Sequence, residues 1–250
     1  TIVRFARRSA PLPAGIFTPE AGMEEITPEL ICLDTETTGL TSPIGVVELA
    51  WVRINMHMEV LDEFDPLVTP ERDIEPGAFG VHGISQQDVA GAPTLAEAIQ
   101  PLRGRPVYVI GHNIAFDLRI VGGHLDVVGD VCTLALSRQY LRGTPERPLL
   151  NHKLTTVREF LDLPCLDAHR ALGDTHTSLN VLRRILHDHG LALDKIIKRQ
   201  AKPRLLHTMP FGKHAGMVLS QVPLEYRRWL MNAGNLDKDL AYSLRKLDPQ

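Results

Sequence analysis

The sequence predicts an α/β protein, a mixed β-sheet flanked by helices and followed by a small, mostly helical C-terminal module. Three observations carry this expectation. Apolar, β-rich runs recur at 30–33, 45–55, 59–68 and 106–111, each short and bounded by turn residues, which marks strands. The first three follow one another across short polar turns, as in an antiparallel meander. The fourth is reached through a segment that Thr94 can cap as a helix running to about Arg103, and strand, helix, strand demands a mixed sheet. Finally, Leu172, Thr175, Leu179, Leu182 and Leu186 step by three and four, an amphipathic helix reaching about His189.

In chain order, residues 1–28 hold Arg4, Arg7 and Arg8, then Pro11, Pro13, Pro19 and Pro28, without periodicity, and read as a loosely ordered leader. Residues 71–91 are turn-rich, with short helices expected after Pro76 and, capped by Ser85, over 86–90. A helix opens around Asp117 and ends near Gly122-Gly123. Thr133 to Leu141 and Lys153 to Leu161 read as helices joined by a polar, proline-containing loop at 143–152. This main body spans 29–190. Residues 191–208 give a short helix to about Gln200 and a linker at Ala201–Arg204. Residues 209–250 form a separate module with helices at about Pro223–Asn232 and Leu236–Leu247.

Composition narrows the class. With 250 residues, 44% hydrophobic and 23% charged, the chain can bury a sizeable core. It has no apolar run of the roughly 20 residues a membrane span needs and no secretory signal, so a cytoplasmic protein is expected. Cys32, Cys132 and Cys165 are odd in number and far apart, which suits reduced thiols better than a disulfide or zinc framework. The net charge of −3 is unevenly spread: residues 1–190 hold 16 Lys/Arg against 25 Asp/Glu, and residues 191–250 hold 11 against 5. A basic tail behind an acidic body suggests a polyanionic partner.

The chemistry sits in three places. In Leu30-Ile-Cys-Leu-Asp-Thr-Glu-Thr-Thr-Gly-Leu40 the strand period of two sends Asp34 and Glu36 to the same side. Two adjacent carboxylates repel, and burying them asks for a hard cation such as Mg2+ or Mn2+. Gly111-His-Asn-Ile-Ala-Phe-Asp117 lies where a strand runs into a helix, and a helical spacing of four would put Asn113 and Asp117 on one side. In Ala168-His-Arg-Ala-Leu-Gly-Asp174, Asp174 lies inside the amphipathic helix. His169, five positions earlier, is about 140° away round an ideal helix and can share a site only from the preceding loop. Jointly, Asp34, Glu36, Asp117 and Asp174 supply four negative charges, enough for two divalent ions that clamp the attacking and leaving oxygens of a phosphoryl displacement. His169 would accept the proton of the attacking water.

These three ordered motifs resemble the DEDDh 3′→5′ exonuclease superfamily, which has an RNase H-like fold and includes polymerase proofreading subunits. Asp34-Thr-Glu-Thr-Thr-Gly39 is similar to its first motif, Gly111 to Asp117 to its second, and the His169–Asp174 spacing to its third. The resemblance covers about residues 29–190. It implies that Asp34, Glu36, Asp117 and Asp174 bind two Mg2+ or Mn2+ ions and that His169 is the general base. It also implies that Thr37, Thr38 and Leu40 lie along the terminal nucleotide, and that Asn113 and Phe116 flank the site. Val81-His-Gly-Ile84 resembles a family stretch near the substrate, so His82 is either a nucleotide contact or a hydrogen-bonded turn histidine.

Phe211-Gly-Lys-His-Ala-Gly216 followed by Tyr226 and Trp229-Leu230 is similar to the C-terminal module of bacterial exonuclease X-like enzymes. In this module Phe211, Tyr226, Trp229 and Leu230 are expected in a small core, and Lys213, His214, Arg227 and Arg228 as a grip on phosphates. The leader departs from compact relatives, which begin almost at the first strand. The function implied is a 3′→5′ exonuclease releasing nucleoside 5′-monophosphates from single-stranded or frayed 3′ ends of DNA. The alternatives are a 3′→5′ exoribonuclease, or a proofreading-type accessory or non-catalytic nucleic-acid binder; the presence of all five site residues argues against the last.

Overall fold

Strand β1 (Glu29–Thr37) runs through the middle of the molecule and is buried on both sides, its even residues facing one core and its odd residues the other. The computed structural model describes residues 27–201, 203, 205–232, 236 and 238–248. The leader expected at 1–28 lies outside the described residues except for its last two, as do Lys202 and Arg204 of the expected linker.

β2 (Val46–Ile54) pairs antiparallel with β1, and β3 (Val60–Phe64) antiparallel with β2. After α1 (Pro76–His82) and α2 (Leu95–Ala98), β4 (Pro106–Gly111) returns parallel to β1. Helix α3 (Ala115–Val121) carries the chain to β5 (Asp126–Cys132), parallel to β4. Parallel neighbours need such crossovers, whereas the antiparallel ones need only turns. The sheet order is β3-β2-β1-β4-β5, the mixed arrangement that the alternation of runs predicts.

Four helices follow: α4 (Thr133–Tyr140), α5 (Leu154–Phe160), α6 (Ala171–Asp188) and α7 (Leu193–Ala201). With them the sheet closes one core, in which Leu30 and Cys32 of β1 lie under Leu179, Leu182 and Ile185 of α6. On the other side Ile31 and Leu33 pack with Ile99, Leu102, Ile114 and Val121. The α6 stripe falls where its 3.6-residue period places it, with Thr175, Leu179, Leu182 and Leu186 all buried.

Several local expectations are corrected. Residues 86–90 form turns rather than a helix: the Ser85 hydroxyl donates to Asp88 Oδ2 at 2.6 Å and closes one turn that goes no further. Thr94 does cap a helix, in a reciprocal box with Glu97. That helix stops at Ala98 and tightens to a 3₁₀ turn over Gln100–Leu102, since Pro101 has no N–H to continue the ladder. The run 59–68 is a strand only over Val60–Phe64, and β5 was not expected at all.

The C-terminal segment holds α8 (Leu224–Asn232) and α9 (Lys238–Leu247). Its core is Met209, Leu219, Val222, Leu230, Leu240 and Leu244. Of the aromatic stripe expected in that core only Leu230 is fully buried; Trp229 is 59% and Phe211 44% exposed. Among the described residues no helix is long and apolar enough to cross a membrane.

Candidate active site

The β1 pleat that sends Leu30 and Cys32 under α6 sends Asp34 and Glu36 to the same face, just past the apolar core. Asp174 stands there in the first turn of α6. Ligand oxygens of Asp34, Glu36 and Asp174 lie within 4.8 Å of one another. Asp117 arrives from the opposite face. Its Oδ1 accepts from the Thr35 backbone N–H at 3.1 Å and from the Thr35 hydroxyl at 2.7 Å, Thr35 being the odd-numbered residue between the two acids. The structure therefore gathers three of the four expected carboxylates within 4.8 Å of one another and ties the fourth to Thr35, where its charge acts on Asp34 more than that of Asp174 does.

Electrostatics register the crowding. Burial, then the charges of Asp117 and Asp174, hold the Asp34 carboxyl well above its ordinary range. Burial, then Asp174 and Glu48, push Glu36 up to about 8. Burial raises Asp117 to about 6 against the pull of its Thr35 hydrogen bonds, and raises Asp174 as well. Oxygen-only donors that repel one another this strongly suit a hard divalent cation.

His169 sits two residues ahead of α6, exposed, with φ of 63°, so the five-residue spacing is reconciled by the loop rather than by the helix. Its backbone hydrogen-bonds the Asp174 carboxylate. The loop lies directly on the helix. A Cβ on Gly173 would stand 1.9 Å from the Leu166 carbonyl oxygen and 2.4 Å from that of Asp167. Although Ala ordinarily favours a helix over Gly, Gly173→Ala is expected to lift the His169 loop and cut turnover by about 100-fold, the scale of a 1 Å misplacement. Steady-state rates alongside circular dichroism check this, and a Gly173→Ala enzyme of parental rate would refute it.

Two residues that sequence reasoning missed hold this corner. Glu48 of β2, opposite Glu36, is 1% exposed. It accepts from Arg170 Nε at 3.0 Å, from Arg170 Nη2, and from the Ala171 backbone N–H at 2.8 Å. Arg170, the N-cap, provides no side-chain cap of its own, so Glu48 places a negative charge at the positive end of the α6 dipole. The only sequence signal was a carboxylate in the middle of the apolar run Val46–Val52.

The other expected contacts divide. Leu40 is 81% exposed in the turn after β1, and Phe116 is half-buried under the Arg119 guanidinium. Thr38 is fully buried, its hydroxyl accepting from Gly45 N–H at 3.0 Å, and Thr37 is buried with its hydroxyl donating to the Gly39 carbonyl. Both threonine side chains hydrogen-bond within the turn. His82 is also structural. Nδ1 accepts from Ile84 N–H at 3.0 Å, Nε2 lies 3.2 Å from the Thr37 carbonyl, and burial holds its pKa down.

Asn113 precedes α3 in a left-handed turn, φ 63°, so the helical spacing to Asp117 does not apply; it is nonetheless exposed. In the C-terminal segment Lys213 and Arg228 are exposed and His214 half-buried. Arg227 is buried and donates to the carbonyls of Leu219 and Ser220 and to Asp248, so its guanidinium ties the module together and is not available to a phosphate.

Comparison with known proteins places this arrangement. The family model RNase_T, described as Exonuclease, matches residues 31–182. A second model, "Putative quorum-sensing-regulated virulence factor", matches residues 199–246. Exodeoxyribonuclease 10 of Escherichia coli (strain K12) is 32% identical over 82% of this chain and 90% of its own length. A DNA polymerase III subunit epsilon-like protein of Rhodobacter capsulatus is 32% identical over 67% of this chain and 25% of its own. The solved structure "Exonuclease X in complex with 5' overhanging duplex DNA" is 28% identical, with a TM-score of 0.55, over 68% of this chain and 98% of that one. The Exonuclease match runs from β1, which carries the first two acids, to α6, which brings Asp174 to them, and the chain belongs to this family: it is an exonuclease of the DEDDh type with an RNase H-like fold.

Proposed function

We propose that this exonuclease acts on DNA in the cytoplasm, removing nucleoside 5′-monophosphates from single-stranded or frayed 3′ ends, with two divalent ions, Mg2+ or Mn2+, as cofactors. The observation that carries this reading is the convergence of Asp34, Glu36 and Asp174 within 4.8 Å beside the loop of His169. Asp34, Glu36 and Asp174 would hold the ions, and Asp117, kept in place by Thr35, would bring the negative charge to four. Bound there, such ions lower the pKa of water and neutralise charge on the leaving 3′ oxygen. His169, exposed on its loop, takes the proton of the attacking water, a task suited to imidazole at neutral pH. Leu40 would lie against the terminal nucleotide, with Asn113 and Phe116 flanking it. DNA is favoured over RNA because the relative that this chain covers almost end to end is named an exodeoxyribonuclease and the similar solved structure holds DNA.

The test is a time course on 5′-labelled single-stranded DNA, duplex DNA and RNA of one sequence with Mg2+ or Mn2+, each with and without EDTA. The expected result is a metal-dependent ladder shortening from the 3′ end, faster on DNA than on RNA. A ladder faster on RNA would reassign the substrate, and shortening from the 5′ end would overturn the polarity.

A further inference from the structure

The C-terminal segment leaves Trp229 and Phe211 on its surface. Trp229 is 59% exposed on α8, and its ring lies 5.4 Å from that of Tyr226 at an interplanar angle of 31°. Tyr226 in turn takes the His214 ring edge-on at 4.7 Å and the Lys213 ammonium over its face at 5.0 Å. The turn beneath is shaped to fit: Gly212 has φ of 74°, and a Cβ there would come within 3.0 Å of the Tyr226 hydroxyl. Helix α8 is fastened from behind by buried Arg227, through Leu219, Ser220 and Asp248. The result is a preorganised row of rings, His214, Tyr226 and Trp229, in which Tyr226 also packs on the small core while Trp229 gains little from burial.

The chemistry around the row identifies its occupant. Lys213 is exposed over the Tyr226 ring, while Glu225 is the single carboxylate on α8. Residues 191–250 carry a net charge of +6. Flat π-surfaces edged by cations bind unpaired bases, the rings stacking on base faces and the cations meeting phosphates, with little dependence on sequence. A duplex presents no free base faces.

We propose that Trp229 and Tyr226 form a stacking platform for single-stranded DNA, with Lys213 contacting its phosphates. That this strand is the substrate awaiting hydrolysis rests on the proposed activity; the binding itself does not. The platform revises the division of labour expected from sequence: Tyr226 does pack on the small core, but Trp229 faces outward and Arg227 turns inward.

The chain contains two tryptophans, and the other, Trp51, is 4% exposed and stacked on Phe64 at 5.6 Å. Quenching by a bound strand therefore reports Trp229. The full chain in EDTA, where the strand is not cut, is titrated with a single-stranded oligothymidylate while tryptophan emission and the anisotropy of a labelled strand are followed. Saturable quenching is expected, and it should persist in Trp51→Phe. Trp229→Ala should weaken binding about tenfold, within the span of base–aromatic stacking, and Trp229→Phe should restore most of it.

Binding without quenching, absence of binding, or parental affinity in a folded Trp229→Ala protein would overturn the proposal. So would an emission change that follows protein concentration rather than DNA, which would assign the face to a second copy of the chain. Should Trp229→Ala fail to fold, quenching in the unsubstituted protein still decides. A ladder without quenching sinks the platform alone, and quenching without a ladder sinks the catalytic reading alone.

Discussion

Replacing Asp34 by Asn abolishes hydrolysis, a loss of about 1,000-fold or more, and at the same time makes the metal-free protein more resistant to heat. The first effect follows from removing a ligand charge from the group that must hold cations against a phosphodiester, where a single electrostatic contact is worth about 100- to 1,000-fold. The second follows from the burial that lifts the Asp34, Glu36 and Asp174 carboxyls above their ordinary ranges, reinforced at Asp34 and Glu36 by repulsion from neighbouring acids. Acids whose folded pKa is raised contribute stability that is fully present below their unfolded values and lost as pH rises through the folded ones. For Glu36 that window runs from about 4.5 to about 8. The metal-free enzyme should therefore melt at a higher temperature at pH 5 than at pH 8.5. Mg2+ should raise the midpoint more at the higher pH, and Asp34→Asn should flatten both dependences. Calorimetry with and without EDTA, paired with the cleavage ladder, reads all of this. Full activity in Asp34→Asn, or a midpoint indifferent to pH and to divalent ions, would refute it.

Glu48→Ala is expected to cost about 3 kcal/mol of stability and most of the activity. Breaking a buried ion pair typically costs about 3–5 kcal/mol. The lower end applies because Arg170, 47% exposed, can recover part of its solvation. The substitution also strips the Ala171 N–H of its acceptor at the N-terminus of α6. His169 and Asp174 flank this point in sequence, so turnover should fall even at temperatures where the variant is fully folded. Glu48→Gln, which keeps an acceptor for Ala171 but not the charge, should lie between. Denaturant titrations and rates measured well below the midpoint separate the two effects. A Glu48→Ala protein as stable and as fast as its parent would dismiss this role.

The sheet and the acidic residues were legible because each rests on local periodicity. The two-residue period of β1 put Asp34 and Glu36 together, and the stripe of α6 fixed which face of that helix meets the sheet. What escaped depends on partners distant in sequence or on phase. Strand β5 is half-exposed and its valines are interrupted by Gly129 and Asp130, so it lacks the apolar run that marks a buried strand. Glu48 looked like an isolated charge because its partner, Arg170, lies 122 positions away. In α8 the stripe through Tyr226, Trp229 and Leu230 was out of phase by about one residue: the buried positions are Arg227 and Leu230. Over nine residues the pattern cannot fix the phase more closely, and nothing in the sequence shows that an arginine would turn inward.

The alternation of β1 sets a limit on how this gene can vary. Thr35 serves Asp117 on one side of the sheet, while its two neighbours serve Asp174 on the other. Inserting or deleting one codon between Leu30 and Asp34 would turn the strand over beyond that point, facing both acids towards α3 and the threonine towards α6. An insertion of two codons would restore the facing and shift the acids by roughly one pleat, about 7 Å. Length changes in this strand are therefore filtered by parity before they are filtered by size, whereas the turn at residues 40–45, with its exposed tip at Leu40 to Pro43, can change length in either parity without inverting a single catalytic side chain.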